Sequence, residues 1–157
     1  CEKIKARLLI AGFAYDEKDN GADASAFKEL LEKPNVKYVG FAGRETRKKL
    51  LSKAKAVFMP TTYLEAFGYV AIEAMFSGTP VITTDFGAFP ETVKQGVTGY
   101  RCKNFNEFWH AAIDVDKLKP EDCRQWAIDN FSMDRAAIMY EDYFNIILSK
   151  YGKGWYK

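Results

Sequence analysis

Cysteine and histidine are scarce in this sequence. Cys1, Cys102 and Cys123 lie far apart in 157 residues, and His110 is the single histidine. No C-x-x-C occurs. A disulfide framework and a histidine–cysteine zinc site both lack their raw material. Reduced thiols fit a cytoplasmic setting. No apolar run approaches the ~20 residues that a membrane span requires, and no signal peptide is visible. The net charge of +2 is too small to attract nucleic acid by bulk electrostatics. Repeats and low-complexity stretches are missing too.

What is present is the composition of a soluble globular protein. Hydrophobic residues make up 48% and charged ones 28%, which excludes intrinsic disorder. The length is that of one domain, and no linker divides it. Residues 1–157 are therefore expected to form a single domain. The chain opens almost directly into a strand pattern, as a piece of a longer protein would.

Four short apolar runs organise the first half: ARLLIAG (6–12), NVKYVG (35–40), AKAVFMP (54–60) and TPVITT (79–84), and TGYRC (98–102) is read as a last strand. Continuous apolar runs without alternation predict strands of a parallel sheet, buried on both faces. Between them lie the helical patterns 24–33, 45–55 and 67–78, then a short segment at 89–96. Pro34 stops the first and Gly78 caps the third. This alternation predicts an α/β fold with a doubly wound, Rossmann-like parallel sheet. Beyond residue 103 the patterns are helical only, over 104–115, 120–130 and 132–151. Ser132 is placed as an N-cap, and GKGWYK at 152–157 reads as a mobile or docking tail.

One charge sits in the most apolar helix pattern. Val70, Ala71, Ile72, Ala74, Met75 and Phe76 surround Glu73, and Glu65 precedes it by eight residues. An unpartnered buried carboxylate costs several kcal/mol, so Glu73 needs either a polar partner or a cleft. In open α/β sheets ligands bind beyond the carboxyl ends of the strands. Glu65 lies in the loop after the AKAVFMP strand, and Gly68 lies near the following helix N-terminus. Free N–H groups and the helix dipole there favour an anion such as a phosphate. Eight helical residues span ~12 Å, a separation at which two acids could hold hydroxyls at both ends of a nucleotide-sugar. The plainer alternatives are that Glu65 stabilises a helix N-terminus and that Glu73 pairs with a buried cation.

The stretch EAFGYVAIEAMFSGTPVITTDFGAFPETVKQGVTGY resembles the donor-binding core of GT-B glycosyltransferases of the large retaining family four. The shared pattern is E-x7-E with F-G after the first Glu, then E-A-M, G-x-P-V-I, G-G-x-P-E and G-x-x-G. Here it reads Glu65, Phe67-Gly68, Glu73-Ala74-Met75, Gly78-x-Pro80-Val81-Ile82, Gly87-Ala88-Phe89-Pro90-Glu91 and Gly96-x-x-Gly99. The likeness is strong over 54–101 and weaker on either side. It implies transfer of a hexose from a UDP- or GDP-linked donor to a hydroxyl, with retention, no metal and no cofactor.

By that resemblance Glu65 is catalytic and approaches the sugar. The backbone of Ala66, Phe67, Gly68 and Tyr69 meets phosphate and sugar, and Glu73 takes the ribose diol. Gly40, Phe41 and Arg44 hold the base, and Thr61 and Thr62 line the pocket. The family's phosphate-neutralising Arg and Lys, and its acceptor-binding N-terminal domain, would precede residue 1. The fragment alone is expected to be inactive. Partners are then the nucleotide-sugar donor and that N-terminal domain, with peripheral membrane contact through the parent enzyme as a secondary expectation. Alternatives are another GT-B enzyme, such as a nucleotide-sugar epimerase or a phosphorylase, and a non-catalytic Rossmann-like binding module. Ala88 replaces the second Gly of the family's G-G pair and is expected to narrow the loop's freedom.

Other features read as structural. Asp114-Val115-Asp116 is a D-x-D at a helix end, and RKKLLSKAK (47–55) is the solvated face of a helix. His110 reads as a packing or surface residue. Trp126, Tyr140, Tyr143 and Phe144 fall at helical spacing and read as core. Cys102 and Cys123 read as small hydrophobes.

Overall fold

A computed structural model describes residues 1, 3–12 and 22–153. Strands and helices alternate through residue 102, as expected, and every strand pair is parallel. The chain forms two compact units, residues 1–50 and 51–157.

In the first unit β1 (Leu8–Ala11) pairs with β2 (Val36–Gly40), and α1 (Ala22–Leu31) connects them. Asn35 Nδ2 donates to Ala6 O at 3.0 Å, and the Tyr38 hydroxyl to Gly12 O at 3.2 Å. Gly40 ends β2 at φ +71 and turns the chain toward α2 (Arg44–Leu51).

In the second unit the strand order is β3 (Val57–Met59), β4 (Val81–Thr84), β5 (Gly99–Cys102). Helix α3 (Tyr69–Phe76) links β3 to β4. The short α4 (Phe89–Thr92) precedes β5, and α5 (Phe105–Asp114), α6 (Pro120–Phe131) and α7 (Met133–Lys150) follow it. Helix α3 ends in a Schellman motif. The Gly78 N–H donates to Met75 O and the Thr79 N–H to Ala74 O, both at 2.9 Å. Gly78 stands at φ +76, so it is the cap that the sequence indicates.

The core lies on both faces of β4. Val81 packs with Ala71, Ala74 and Met75 of α3 and with Cys123 and Ala127 of α6. Ile82 turns the other way, to Ala111 of α5, Val115 and Cys102. Successive strand residues point to opposite faces, so one apolar dipeptide feeds two clusters. Burial on both faces nevertheless holds for β4 only. In β1 and β3 exposed residues alternate with half-buried ones, because each of these strands borders its sheet among the described residues.

The aromatic residues of α7 also depart from expectation. Tyr140, Tyr143 and Phe144 are more than half exposed, and no residue of α7 is buried. Helical spacing tells which residues share a face, not whether anything covers that face. Trp126 does pack on the core, with its indole N–H donating to Thr92 O at 3.0 Å. Ser132 caps α7 as expected, its hydroxyl accepting from the Arg135 N–H at 3.2 Å. Asp114 pairs with Lys117 and Asp116 with Lys55. No helix among the described residues is long and apolar enough to cross a membrane. Residues 154–157 of the tail lie outside the described residues.

Cys102 and Cys123 are buried, and Cys1 is exposed. Desolvation pushes both buried thiols from 9.0 up to about 11, helped at Cys102 by Glu107 and Asp85 and at Cys123 by Asp122 and Glu121. At pH 8 a thiol at about 11 is ionised in roughly one molecule per thousand. A thiol-specific reagent on the native chain should therefore modify Cys1 rapidly and the other two only on unfolding. Rapid reaction of three thiols in the folded state would contradict this packing. Below about pH 9 both states keep the proton and the thiols leave stability unchanged; as pH rises from about 9 toward 11 the unfolded state ionises first, and stability falls.

Candidate functional site

The loops after β3 and β4 leave the carboxyl edge of the second unit's sheet, and the candidate residues 61–73 lie on the first of them and on α3. The Thr61 and Thr84 hydroxyls, one from each strand's end, meet at 3.2 Å. Thr62 beside Thr61 is exposed.

Glu65 is the organised centre. Its Oε1 accepts from the Gly68 N–H at 3.1 Å and, more weakly, from the Phe67 N–H at 3.5 Å. Its Oε2 accepts from the Tyr63 hydroxyl at 2.9 Å. The Tyr63 bond is the largest cause of a carboxyl held below its ordinary 4.5. Desolvation opposes it, and the amides of Gly68, Phe67 and Ala66 add to it. The same bond, with the carboxylate charge beside it, raises the Tyr63 hydroxyl above 10.0. Glu65 thus does stabilise the start of α3, the plainer role that its position allowed. Being ionised and anchored, it can also accept hydrogen bonds from ligand hydroxyls.

The backbone of this loop is clamped from the other side. The Ala88 N–H donates to Glu65 O at 2.9 Å. Gly87, at φ +67, lies so close that an added Cβ would stand 2.7 Å from Glu65 N and from Glu65 O. Ala88 itself has φ −79, where alanine costs nothing. The expected loss of loop freedom at Ala88 therefore does not arise; the demanding position is Gly87.

Gly68 caps α3 in the left-handed region, φ +79 and ψ +47, with no side-chain cap. An added Cβ there would meet the buried Phe89 ring at 3.0 Å. Among the described residues no hydrogen bond reaches the N–H groups of Tyr69 and Val70. They are the open donors of the first turn. Ala66 is exposed, while Phe67 rests on Tyr69 and Phe131 with ring centroids 4.8 Å and 6.1 Å away.

Glu73 lies in the second turn of α3. Ala71, Ile72, Ala74 and Met75 are buried, but Glu73 is only half-buried and shares its face with exposed Tyr69 and Val70. Glu73 thus stands at the margin of the core, not inside it. The 12 Å helical ruler does not apply to the pair, because residues 65–68 form a turn and the helix begins only at Tyr69.

Gly40, Phe41 and Arg44 belong to the first unit. Gly40 closes β2, Phe41 is exposed and Arg44 opens α2. Sequence reasoning missed Tyr63, whose only signal was an aromatic two residues before Glu65. Two grooves in the second unit lie apart from Glu65 and Glu73. One of about 380 Å³ runs along Lys55, residues 77–80 and Asp116, and one of about 240 Å³ lies between β5 and α5, beside exposed His110.

Known proteins share this sequence and fold. Residues 1–127 match the family model described as Glycosyl transferases group 1. An uncharacterized glycosyltransferase of Methanocaldococcus jannaschii is 39% identical over 98 residues, covering 62% of this chain and 24% of that protein. The N-acetyl-alpha-D-glucosaminyl L-malate synthase of Bacillus anthracis is 25% identical over 155 residues, covering 93% and 39%. The solved sucrose-phosphate synthase of Thermosynechococcus elongatus superposes with a TM-score of 0.72 at 25% identity, covering 91% of this chain and 39% of that one. The structural neighbours are GT-B glycosyltransferases. The chain spans less than half the length of each of these relatives.

Proposed function

Because the chain belongs to the glycosyl transferases group 1 family, we propose that it is the donor-binding domain of a retaining, family-four-type hexosyltransferase that uses a UDP- or GDP-linked sugar. Glu65 accepts hydrogen bonds from the sugar hydroxyls. The amides of residues 66–70 and the α3 N-terminus face the diphosphate. Glu73 takes the ribose diol, Thr61 and Thr62 line the pocket, and the base falls to Gly40, Phe41 and Arg44 on the strength of the resemblance. The observation that carries this reading is an ionised Glu65, tied down at both oxygens beside an α3 N-terminus that still has two open N–H donors.

In the reaction the bond from the anomeric carbon to the diphosphate breaks, and a bond from that carbon to the acceptor oxygen forms on the same face. The chain's part is positioning, together with stabilisation of an oxocarbenium-like state and a departing diphosphate. The helix N-terminus supplies positive potential in place of a metal. Acceptor recognition belongs to the rest of the parent protein, which acts in the cytoplasm and meets a membrane only peripherally.

Titration of the full-length protein with UDP, GDP and their sugars tests the assignment. Glu73→Ala should weaken the free nucleotide and the sugar-bearing donor alike, by about tenfold to a hundredfold, the scale of a charge-assisted hydrogen-bond pair. Glu65→Gln should spare the free nucleotide and weaken the sugar-bearing donor. Wild-type affinity of both variants for every ligand would remove the assignment.

A further inference from the structure

Tyr63 has no part in the resemblance, yet its hydroxyl is the single donor among the described residues that reaches Glu65 Oε2. We propose that Tyr63 is a positioning residue, which holds the Glu65 carboxylate in the orientation that meets the sugar of the donor. This rests on the role of Glu65 proposed above and adds a residue to it.

The geometry separates the parts. The backbone of Glu65 is set by the Ala88 N–H and by the close approach of Gly87. The Gly68 N–H anchors Oε1 at 3.1 Å, and Tyr63 anchors Oε2 at 2.9 Å. The terminal torsion of a glutamate is broad, so one anchor leaves the carboxylate plane free to turn. Two anchors on different oxygens fix it. Each carboxylate oxygen accepts about two hydrogen bonds; Oε1 already takes the Gly68 and, more weakly, the Phe67 N–H, so Oε2, with Tyr63 as its one donor among the described residues, keeps a site open for a sugar hydroxyl. Tyr63 is 61% exposed. Its ring fills no core space, and its contribution lies in the hydroxyl. Tyr63→Phe should therefore fold as the parent does.

The experiment uses the full-length protein with Tyr63→Phe, Glu65→Gln and both together. The probes are UDP, GDP, UDP-glucose and GDP-mannose, read by calorimetry, turnover and thermal melting. Tyr63→Phe should lower affinity for the bound sugar-bearing probe, and kcat/KM, by about tenfold, the scale of one hydrogen bond to a charged group. Affinity for the free nucleotide and the melting temperature should stay as they were. In the Glu65→Gln background, Tyr63→Phe should change the sugar-bearing affinity by less than about twofold, since coupled residues are not additive.

An equal loss for nucleotide and donor would overturn the proposal, because it would mark a general structural role. So would an undiminished Tyr63→Phe effect in the Glu65→Gln background, or no effect at all. A neutral Tyr63→Phe beside a damaging Glu65→Gln would sink the positioning role alone. A neutral Glu65→Gln would sink the site assignment together with it.

Discussion

On the role proposed for Glu65, Gly87→Ala in the full-length protein is expected to lower turnover about a hundredfold while leaving the fold intact. The added methyl would stand 2.7 Å from both the nitrogen and the oxygen of Glu65. Those are backbone atoms and cannot swing aside as a lysine tip can. The residue also has φ +67, which costs an L-residue roughly 1–2 kcal/mol. Relief comes only by moving the loop that carries Glu65 or the loop after β4. The Ala88 N–H to Glu65 O bond at 2.9 Å would stretch in either case. A misplacement of ~1 Å at a reacting centre costs on the order of a hundredfold. The free nucleotide should bind nearly as before, because Glu73, the residue proposed to hold the ribose, sits on α3, five residues beyond Gly68. Steady-state kinetics with calorimetric titration of the nucleotide checks this. Turnover within twofold of wild type would show that the loop contact does not hold Glu65 in place.

Gly99→Ala should be the most damaging single methyl for stability. Gly99 pairs with Val81 between β5 and β4. A Cβ at Gly99 would overlap Val81 O and lie 2.8 Å from Val81 Cγ2, and Val81 is fully buried between two helices' side chains. Neither neighbour can give way, so β5 must part from β4. Overpacking of this kind costs about 3 kcal/mol, which lowers the melting temperature by on the order of 10 °C for a chain of this size. Gly96→Ala is the control. Its φ is +71, but nothing lies within 4 Å of its Cβ, so only the backbone cost of roughly 1–2 kcal/mol applies. If thermal melting ranked Gly96→Ala as the worse of the two, the Gly99 contact would not be the determinant.

These two glycines divide what could and could not be read in advance. Gly87 and Gly99 both stand in the family-like pattern, so their positions were legible. What each one touches was not, because the contacts are with Glu65 and Val81, 22 and 18 positions away. The same limit applies to Ala88. Its replacement of the usual glycine looked restrictive until the backbone placed it at φ −79. Glu73 shows the converse. Its chemistry was plain in an apolar run, and only the rotation of α3 decided that it points away from the core.

The order of strands and helices and the Gly78 and Ser132 caps could be read from the residues alone, and so could Glu65 as the candidate carboxylate. All of these depend on residues close along the chain, through periodicity, capping and loop position. Tertiary structure alone decided that β4 is the strand covered on both faces and that the aromatic face of α7 stays exposed. It also decided that Glu65 is held between Tyr63, Gly68 and the Gly87-Ala88 loop. Burial and anchoring depend on which distant element arrives at a surface, and that is a property of packing, not of spacing along one segment.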